Sequence, residues 1–430
     1  MRRAAGLSQH QLGELVGLTQ PMVSYVESGA KRLQNIEQVA RVANVLGIPA
    51  RLLGFDAEPG SLDVDREVSD VERRDFLSLV LGITMTSSLH PDIARLSEIL
   101  PAQSDSTRRR RLGSADAQAI EHMTEGFRSN IFARGGELMH SAALAQLHAV
   151  RGFDDAVCTD EVRARLDLAS ADLAWVTGWA SWDIDDHDQA QKLWAFALNR
   201  AKRAEHHPRS TDLTIGVLLD AAYQSLQRRQ ARTALRLVEH GVTIANTSAH
   251  EASASAHADL HANRAWCHAA LGNATKCRDA LSEETDAFAR TRPETVPPWA
   301  RHVTAAEIAS HRAHALALLA HAQPTYVPAA IEELASVVNN TDLTFARTRA
   351  IHLPDLAAHH FHVGDVTTGI EIGQQAIATV GELSSRHARE RLRAIAKAAE
   401  PVAATSSEVT ELCAAVYATV DDIPTFSETR

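Results

Sequence analysis

The spacing of apolar and polar residues near the start of the chain predicts a pair of short amphipathic helices. Between residues 8 and 47 apolar residues recur every three or four positions. Ser8 is a favourable N-cap for the first helix, and Gly17 is expected to end it. Thr19 is expected to cap the second helix, which directs Val23 inward. The pattern therefore predicts a compact helical unit at the N-terminal end.

The pattern beyond this pair predicts a third helix, a linker and a buried helix. Residues 35–46 form a further amphipathic helix, and residues 56–72 are an acidic linker without periodicity. Residues 72–85 follow with a charged start and an apolar body, which predicts a buried helix. A second break, residues 101–116, contains four consecutive arginines and is interpreted as a solvated loop, with contact to DNA phosphates as the alternative.

The rest of the chain is patterned as helical hairpins. In residues 173–198, small residues at Gly178, Ala190 and Ala197 accompany the bulky Trp194. Small residues allow two helices to approach closely, and a bulky one fills the groove between them. The polar stretch "DIDDHD" is predicted to be the turn of this hairpin.

The hairpin pattern recurs with a period of about forty residues. The further copies use the turns "RRQ", "LGN" and "VGD", with small residues at Ala222, Ala234, Ala265, Cys277, Gly369, Gly373 and Ala376. Stacked hairpins of this kind form an α-solenoid, and the pattern is similar to tetratricopeptide repeats with a longer period. The predicted fold is all-α, a small head followed by a tetratricopeptide-like α-solenoid. The proline-rich residues 292–302 are expected to interrupt the array as a loop.

Composition agrees with a helical intracellular protein. Aromatic residues make up only 5% of the chain, which favours helices over strands. The four cysteines, Cys158, Cys267, Cys277 and Cys413, form no CxxC pair, so free thiols in a reducing cytoplasm are expected rather than a zinc site or disulfides. No apolar run is long enough to span a membrane, and no export signal is evident.

The charge distribution favours a nucleic-acid partner for the head. The whole chain carries a net charge of −11. Residues 1–55 nevertheless hold six basic and three acidic side chains, a net charge of +3. A small basic head on a large acidic body is typical of a DNA-binding protein with a separate regulatory domain.

The stretch "AGLSQHQLGELVGLTQPMVSYVESGAKR", residues 5–32, resembles the Cro/phage-repressor (XRE) class of helix-turn-helix domains. The resemblance rests on the spacing of its glycines, glutamines and apolar residues, and it covers residues 1–55. It implies that the second helix of the pair enters the major groove of DNA. The class has a first helix ahead of this stretch, and here only "MRRA" precedes it, so the first helix is expected to be truncated and the head weakened, unless the true start lies upstream.

The residues predicted to contact DNA are Gln9, Thr19, Gln20, Met22, Ser24, Tyr25, Lys31 and Arg32. The side chains of Gln20, Ser24 and Tyr25 would face base edges, and Met22 would meet a thymine methyl group. Gln9, Thr19 and the Lys31-Arg32 pair suit phosphate contacts. The resemblance implies DNA contact at Gln9 and Gln20 in particular. Pro21 occupies a position where a polar base-reading residue often lies.

No pattern in the chain indicates catalysis, a metal or a cofactor. His257 and His261 share a helical face, and His359, His360 and His362 cluster, but no HExxH motif accompanies them. Structural histidines are the preferred interpretation. The chain also lacks a Walker loop and a nucleophile elbow, so no enzyme is predicted.

Four tryptophans crowd one predicted hairpin. Trp175, Trp179 and Trp182 lie roughly on one side of a helix, and Trp194 lies on its partner. Helical spacing predicts that they form a core. A platform for a ligand is the alternative.

The complete arrangement resembles cytoplasmic regulators that join an XRE domain to tetratricopeptide-like repeats, of which the peptide-sensing RRNPP group is one branch. The resemblance implies a homodimeric transcriptional regulator of double-stranded DNA. Its repeat domain would bind a peptide, small ligand or protein partner and thereby control DNA binding. The expected domains are a head at 1–55, a linker at 56–115, repeats at 116–400 and a C-terminal helix and tail at 401–430. The alternative is an interaction scaffold whose head does not bind DNA.

Overall fold

The computed structural model describes residues 8–16, 18–27, 111–292, 294, 296–301, 303–341 and 346–421. Contacts divide the chain into two units, residues 1–75 and 76–430. Within the described residues the regular elements are helices, with one isolated β-bridge between Arg111 and Val157. The all-α prediction is confirmed. The predicted third helix, acidic linker and following buried helix lie outside the described residues.

Two short helices are described in the first unit, α1 (Gln9–Val16) and α2 (Gln20–Glu27). The Ser8 hydroxyl accepts the backbone N–H of Gln11 at 3.1 Å, and the Gln11 side chain accepts the N–H of Ser8 at 2.8 Å. This reciprocal capping box satisfies two amides at the start of α1 and confirms Ser8 as its N-cap. Leu12 on α1 and Val23 on α2 are buried, as the spacing predicts.

The second unit is a succession of fifteen helices in its described residues. These are α3 (Ser114–Arg134), α4 (His140–Arg151), α5 (Asp160–Asp183), α6 (His187–Arg203), α7 (Ser210–Gln227), α8 (Ala231–Thr247), α9 (Ala254–Ala270), α10 (Ala274–Ala289), α11 (Ala305–Ala322), α12 (Val327–Asn340), α13 (Ala346–His362), α14 (Val366–Gly381), α15 (Arg386–Arg391), α16 (Arg393–Ala403) and α17 (Ser407–Asp421). Short 3-10 turns at Pro298–Ala300 and Pro324–Tyr326 flank α11.

Helices α5 to α14 form five antiparallel hairpins, α5/α6 to α13/α14, packed in chain order. The first helix of each hairpin also packs against the first helix of the next. The four hairpins predicted from the sequence are confirmed. The hairpin α11/α12 is not predicted from the sequence. Its turn contains Pro324 and lacks the turn motif that the other four hairpins share.

Those four turns share one backbone conformation. The residues Asp185, Arg229, Gly272 and Gly364 each have a positive φ, between 60° and 82°. In every copy the N–H of the following residue donates to the carbonyl five residues back, and in the third copy Asn273 donates to His268 at 2.8 Å. This pattern closes the end of one helix and aims the chain into the next. The first turn is shorter than the predicted "DIDDHD", because α5 runs to Asp183.

Close packing of the first hairpin depends on Gly178. A Cβ atom at this position would lie 2.5 Å from the indole nitrogen of Trp194. Trp194 is fully buried, and its Nε1 donates to the carbonyl of Trp175 at 3.3 Å. The predicted pairing of a small residue with a bulky one is therefore confirmed.

The two ends of the array contact each other. Helix α3 packs against α13, and α5 packs against α15. At this junction the fully buried Asp183 carboxylate accepts from the Arg347 guanidinium at 2.6 Å and from the Ser385 hydroxyl at 2.9 Å. Its second oxygen accepts the N–H of Gly136 at 2.7 Å. Asp183 thus joins three segments that are distant in sequence.

The shared turn allows a test at Arg229, the longest side chain with a positive φ. A non-glycine residue in this conformation costs about 1 kcal/mol. We expect Arg229→Gly to raise the free energy of unfolding by about 0.5 kcal/mol after the entropy cost of glycine. The control Arg228→Gly, at φ −81°, is expected to lower it. Urea denaturation followed by tryptophan fluorescence measures both, and equal loss in the two variants would contradict the proposed strain.

Candidate functional site

The described part of the head is a helix-turn-helix. The N–H of Leu18 donates to the carbonyl of Gly13 at 2.8 Å, which folds the turn back against the end of α1. The N–H of Val23 donates to the carbonyl of Thr19 at 3.0 Å and starts α2. Leu12 on α1 and Val23 on α2 are both buried.

The predicted DNA-contacting residues concentrate at the starts of the two helices. The exposed side chain of Gln20 donates to the Gln9 side chain at 2.8 Å, so these glutamines form one polar group. Thr19 is exposed and immediately precedes α2, while Met22 and Ser24 are half-buried. The side chain of Tyr25 and the whole of Lys31 and Arg32 lie outside the described residues. The DNA contacts of all these residues stay predictions.

The second unit contains a large cavity on the side formed by the first helices of the hairpins. Its volume is about 660 Å³, within the range of sites for small organic ligands. Residues from α3, α5, α7, α9, α11, α13 and α15 line it, together with the 3-10 turn at Pro298–Ala300. Because the two ends of the array contact each other, α3 and α15, the first and last of these helices, both line the cavity.

An aromatic wall, defined as Trp179, Trp182, Tyr223 and Trp266, runs along the cavity. Successive rings are in contact. The ring centroids of Trp179 and Trp182 are 4.9 Å apart. Those of Trp182 and Tyr223 are 5.7 Å apart, as are those of Tyr223 and Trp266. Trp175 and Trp299 also line the cavity, whereas Trp194 is buried between α5 and α6. The core interpretation is confirmed for Trp175, Trp182 and Trp194, which belong to the buried core, and Trp179 packs against that core. Trp175, Trp179 and Trp182 also line the cavity, so the ligand platform stays a prediction.

Tyr223 and Trp266 are cavity residues that the sequence reasoning missed, although a signal for them exists. Trp179, Tyr223 and Trp266 are separated by 44 and 43 residues. Ala190, Ala234 and Cys277, which mark the hairpin contacts, have the same separations. These three aromatic residues therefore occupy the same position in successive repeats. Recurrence of an aromatic residue at one repeat position is the sequence signal that separates a cavity-lining residue from an ordinary core residue.

The buried cations beside the cavity have carboxylate partners. Arg128 pairs with Asp172 and stacks over Trp175, with 5.3 Å between guanidinium and ring. Arg347 pairs with Asp183. His311 lies 2.6 Å from Glu284, and the hydrogen bonds to Glu284 and Glu307 outweigh burial and raise the pKa of His311 to about 10. These cations are thus already neutralised by the protein.

Asp220 has a different environment. It lies on α7 at the cavity and accepts a hydrogen bond from the indole N–H of Trp175. Within the described residues no cationic side chain forms an ion pair with it. Burial raises the pKa of Asp220 to about 7, although the Trp175 hydrogen bond and the charge of Arg128 lower it; nearby Asp259 raises it slightly further. Its ionised form is therefore less favoured than that of an aspartate in water.

Several buried polar atoms at the cavity also have no hydrogen-bond partner among the described residues. Both ring nitrogens of His314 and the Nε1 of Trp179 are of this kind. His314 is 5% exposed, and burial lowers its pKa to about 3, so it is a neutral ring. Buried groups of this type usually find a partner, which makes them candidate contacts for a bound molecule.

The rings of His321, His359 and His362 lie together in the described part of the chain, with centroids 5.1 to 6.5 Å apart, but they do not form a metal site. The four cysteines are free, and burial raises the pKa of Cys267 to about 12 and that of Cys277 to about 11, so both are protonated thiols. No three metal-ligating side chains come together among the described residues. His257 and His261 face each other with ring centroids 6.4 Å apart.

Comparison with known proteins identifies the head. Residues 1–53 match the family model described as Helix-turn-helix. This family consists of DNA-binding regulators, so the match supports a DNA-binding transcription regulator. No curated protein and no solved structure matches the chain. None of the helices in the described ranges has the length and apolar character needed to cross a membrane.

Proposed function

We propose that the protein is a sequence-specific transcription regulator whose helical second unit binds a ligand and thereby controls DNA binding by the head. The observation that carries the DNA-binding part is the helix-turn-helix at Gln9–Glu27, with its match over residues 1–53. Gln9 and Gln20 are hydrogen-bonded at the starts of its two helices. This hydrogen bond restricts the orientation of the Gln20 side chain at the start of α2, the helix proposed to enter the major groove.

The ligand-binding part is supported by the cavity. A peptide, small ligand or protein partner is compatible with a helical repeat surface, and an aromatic cavity of about 660 Å³ favours a small ligand or a short peptide. Because helices from both ends of the array line this cavity, an occupant would contact both and bias their spacing. A ligand that binds one arrangement better than another shifts the equilibrium between them.

The regulator is proposed to act as a homodimer in the cytoplasm. A single small head buries little surface on DNA, and two heads on one operator bind more tightly and read a longer sequence. Two half-sites separated by one helical turn of DNA, or a multiple of it, are the expected footprint.

Substitution of Gln20 tests the DNA-binding part. We expect Gln20→Ala to weaken operator binding roughly 5- to 100-fold, because one polar contact to a base edge contributes about 1 to 3 kcal/mol of discrimination. Binding to unrelated DNA should stay within about twofold, since phosphate contacts dominate it. Fluorescence anisotropy at several salt concentrations measures both affinities.

Gln374→Ala is the matched control, because Gln374 is an exposed glutamine on α14 of the second unit. It should bind the operator as the wild-type chain does. Operator affinity that is unchanged in Gln20→Ala would contradict the proposed role of Gln20. Absence of any salt-sensitive binding by the wild-type chain would favour an interaction scaffold instead of a regulator.

A further inference from the structure

Two carboxylates at the cavity, Asp212 and Asp220, form no ion pair with a cationic side chain among the described residues. Asp212 accepts the backbone N–H of Ser253 at 2.8 Å. Arg128, Arg347 and His311 each have their own carboxylate within the protein. The hydrogen bond that Asp220 accepts comes from a neutral group, the indole N–H of Trp175. An ionised carboxylate in such surroundings is stabilised by a cation placed beside it. The charge that fits at this point is therefore positive.

The surface around Asp220 is largely aromatic. Trp175 contacts it directly, and the aromatic wall continues from α5 across α7 to α9. Aromatic faces attract cations and also bury apolar groups, so they suit both the charged end and the body of one ligand. The aliphatic side chains of Ile215 and Leu219 extend the apolar lining on α7.

We propose that this cavity binds a small amphipathic organic cation, whose protonated amine or guanidinium pairs with Asp220 and whose apolar body lies along the aromatic wall. The inference rests on the proposed function in taking the cavity as the regulatory ligand site. The unpartnered nitrogens of Trp179 and His314 add a second requirement. Trp179 supplies an N–H donor and neutral His314 supplies one donor and one acceptor, which a hydroxyl or carbonyl group on the ligand would satisfy.

The protonation of Asp220 agrees with this assignment. Its pKa of about 7 means that the carboxyl is partly protonated near neutral pH. A bound cation favours the ionised form, so binding releases a proton from Asp220. An anionic ligand would instead raise the pKa of Asp220 further.

A series of ligands with the same body and different charge tests the proposal on the full-length chain at pH 8. The probes are 4-phenylbutylamine, 4-phenylbutanol and 4-phenylbutyrate, with the equivalent indolyl and octyl compounds as further bodies. The tripeptide acetyl-Leu-Lys-Leu-amide, compared with its glutamine analogue, distinguishes a short peptide from a small amine. Calorimetry and tryptophan fluorescence follow binding, because all six tryptophans lie in the second unit.

We expect at least one amine to bind more tightly than its alcohol and acid counterparts. Asp220→Asn should weaken that amine about 30-fold or more, as loss of a buried charge partner does, and should affect the alcohol little. Asp279→Asn, which changes an exposed aspartate on α10, should leave binding unchanged. Preference for the lysine tripeptide over all amines would assign the same cation site to a peptide and overturn the small-ligand assignment.

Three results would overturn the proposal: tighter binding of the acids, equal binding of all three charge classes, or no amine binding by the wild-type chain. Retention of amine binding in Asp220→Asn would do so as well. Operator binding by the wild-type chain is measured separately. If the amines fail while the operator is bound, only the ligand class is wrong; if amines bind while no DNA does, the cation site stands and the regulator proposal fails.

Discussion

Asp183→Asn is expected to lower the free energy of unfolding of the second unit by about 3 to 5 kcal/mol, because it removes one partner of a buried ion pair. Asp183 is fully buried, and the side chain of Arg347 is only 7% exposed. Asparagine has nearly the same shape as aspartate and can still accept the hydrogen bond from the Ser385 hydroxyl. It carries no charge, however, so the guanidinium of Arg347 loses its carboxylate partner. An uncompensated buried cation accounts for most of the expected loss.

The second unit can be followed alone in this experiment, since every tryptophan of the chain belongs to it. Urea denaturation monitored by fluorescence gives the midpoint and slope. The control is Asp188→Asn, an exposed aspartate at the start of α6, which should stay within about 0.5 kcal/mol of wild type. A loss in Asp183→Asn no larger than in this control would show that the junction of α3, α5, α13 and α15 does not depend on Asp183.

Asp220→Asn is expected to have the opposite effect on stability, and the effect should depend on pH. The pKa of Asp220 is about 7 in the folded chain and near 3.8 for an ordinary aspartate. The folded state thus holds the proton more tightly, so wild-type stability falls as pH rises from about 4 to 7. Asparagine has no proton to lose, and relative to wild type the variant should gain about 2 kcal/mol between pH 5 and pH 8.

The groups that face Asp220 set the size of this effect. Trp175 on α5 donates to the carboxylate and Arg128 on α3 lowers its pKa, whereas Asp259 on α9 raises it. Stability curves of wild type, Asp220→Asn and the exposed control Asp279→Asn at several pH values measure the difference. Parallel curves for wild type and Asp220→Asn would mean that Asp220 is not desolvated. If Asp220→Asn is more stable than wild type at pH 8 but binds amines poorly, Asp220 contacts the ligand and is not needed for the stability of the fold.

The hairpins are predictable because their determinants are local. Gly178 and Trp194 lie sixteen residues apart in "GWASWDIDDHDQAQKLW", and the close approach of their helices requires a small residue opposite a large one. The same small residues recur with the same turn at Arg229 and Gly272. The packing of two helices that follow each other in the chain can therefore be predicted from the pattern of small and large residues in the sequence.

The cavity is not predictable in the same way. Asp183 and Arg347 are 164 residues apart, and nothing near either residue indicates that the two ends of the array meet. The sequence pattern places Asp183 in a solvated turn, because three acidic neighbours follow it closely, yet it is buried. Trp179 and Trp182 have helical spacing that suits a core equally well, so their position at a cavity depends on the curvature of the whole array.

The DNA-binding residues lie between these two cases. The two helices around Gln9 and Gln20 are as expected from the spacing of apolar residues, and Ser8 is the expected N-cap. The reciprocal bond from Gln11 back to Ser8 is an addition that the structure supplies. Pro21 is the second residue of α2, a position that tolerates proline because the first amides of a helix have no internal partner. The base contacts themselves depend on the DNA and stay predictions.

Selection of genomic DNA fragments bound by the full-length chain tests the central claim, that this protein is a sequence-specific regulator, most directly. Fragments are recovered at about 0.15 M salt, near physiological ionic strength, and sequenced, with Gln20→Ala selected in parallel. We expect enrichment of one motif with two half-sites, strong in wild type and reduced in Gln20→Ala. Recovery of fragments without a common motif, or of the same motif at equal strength in both chains, would contradict it.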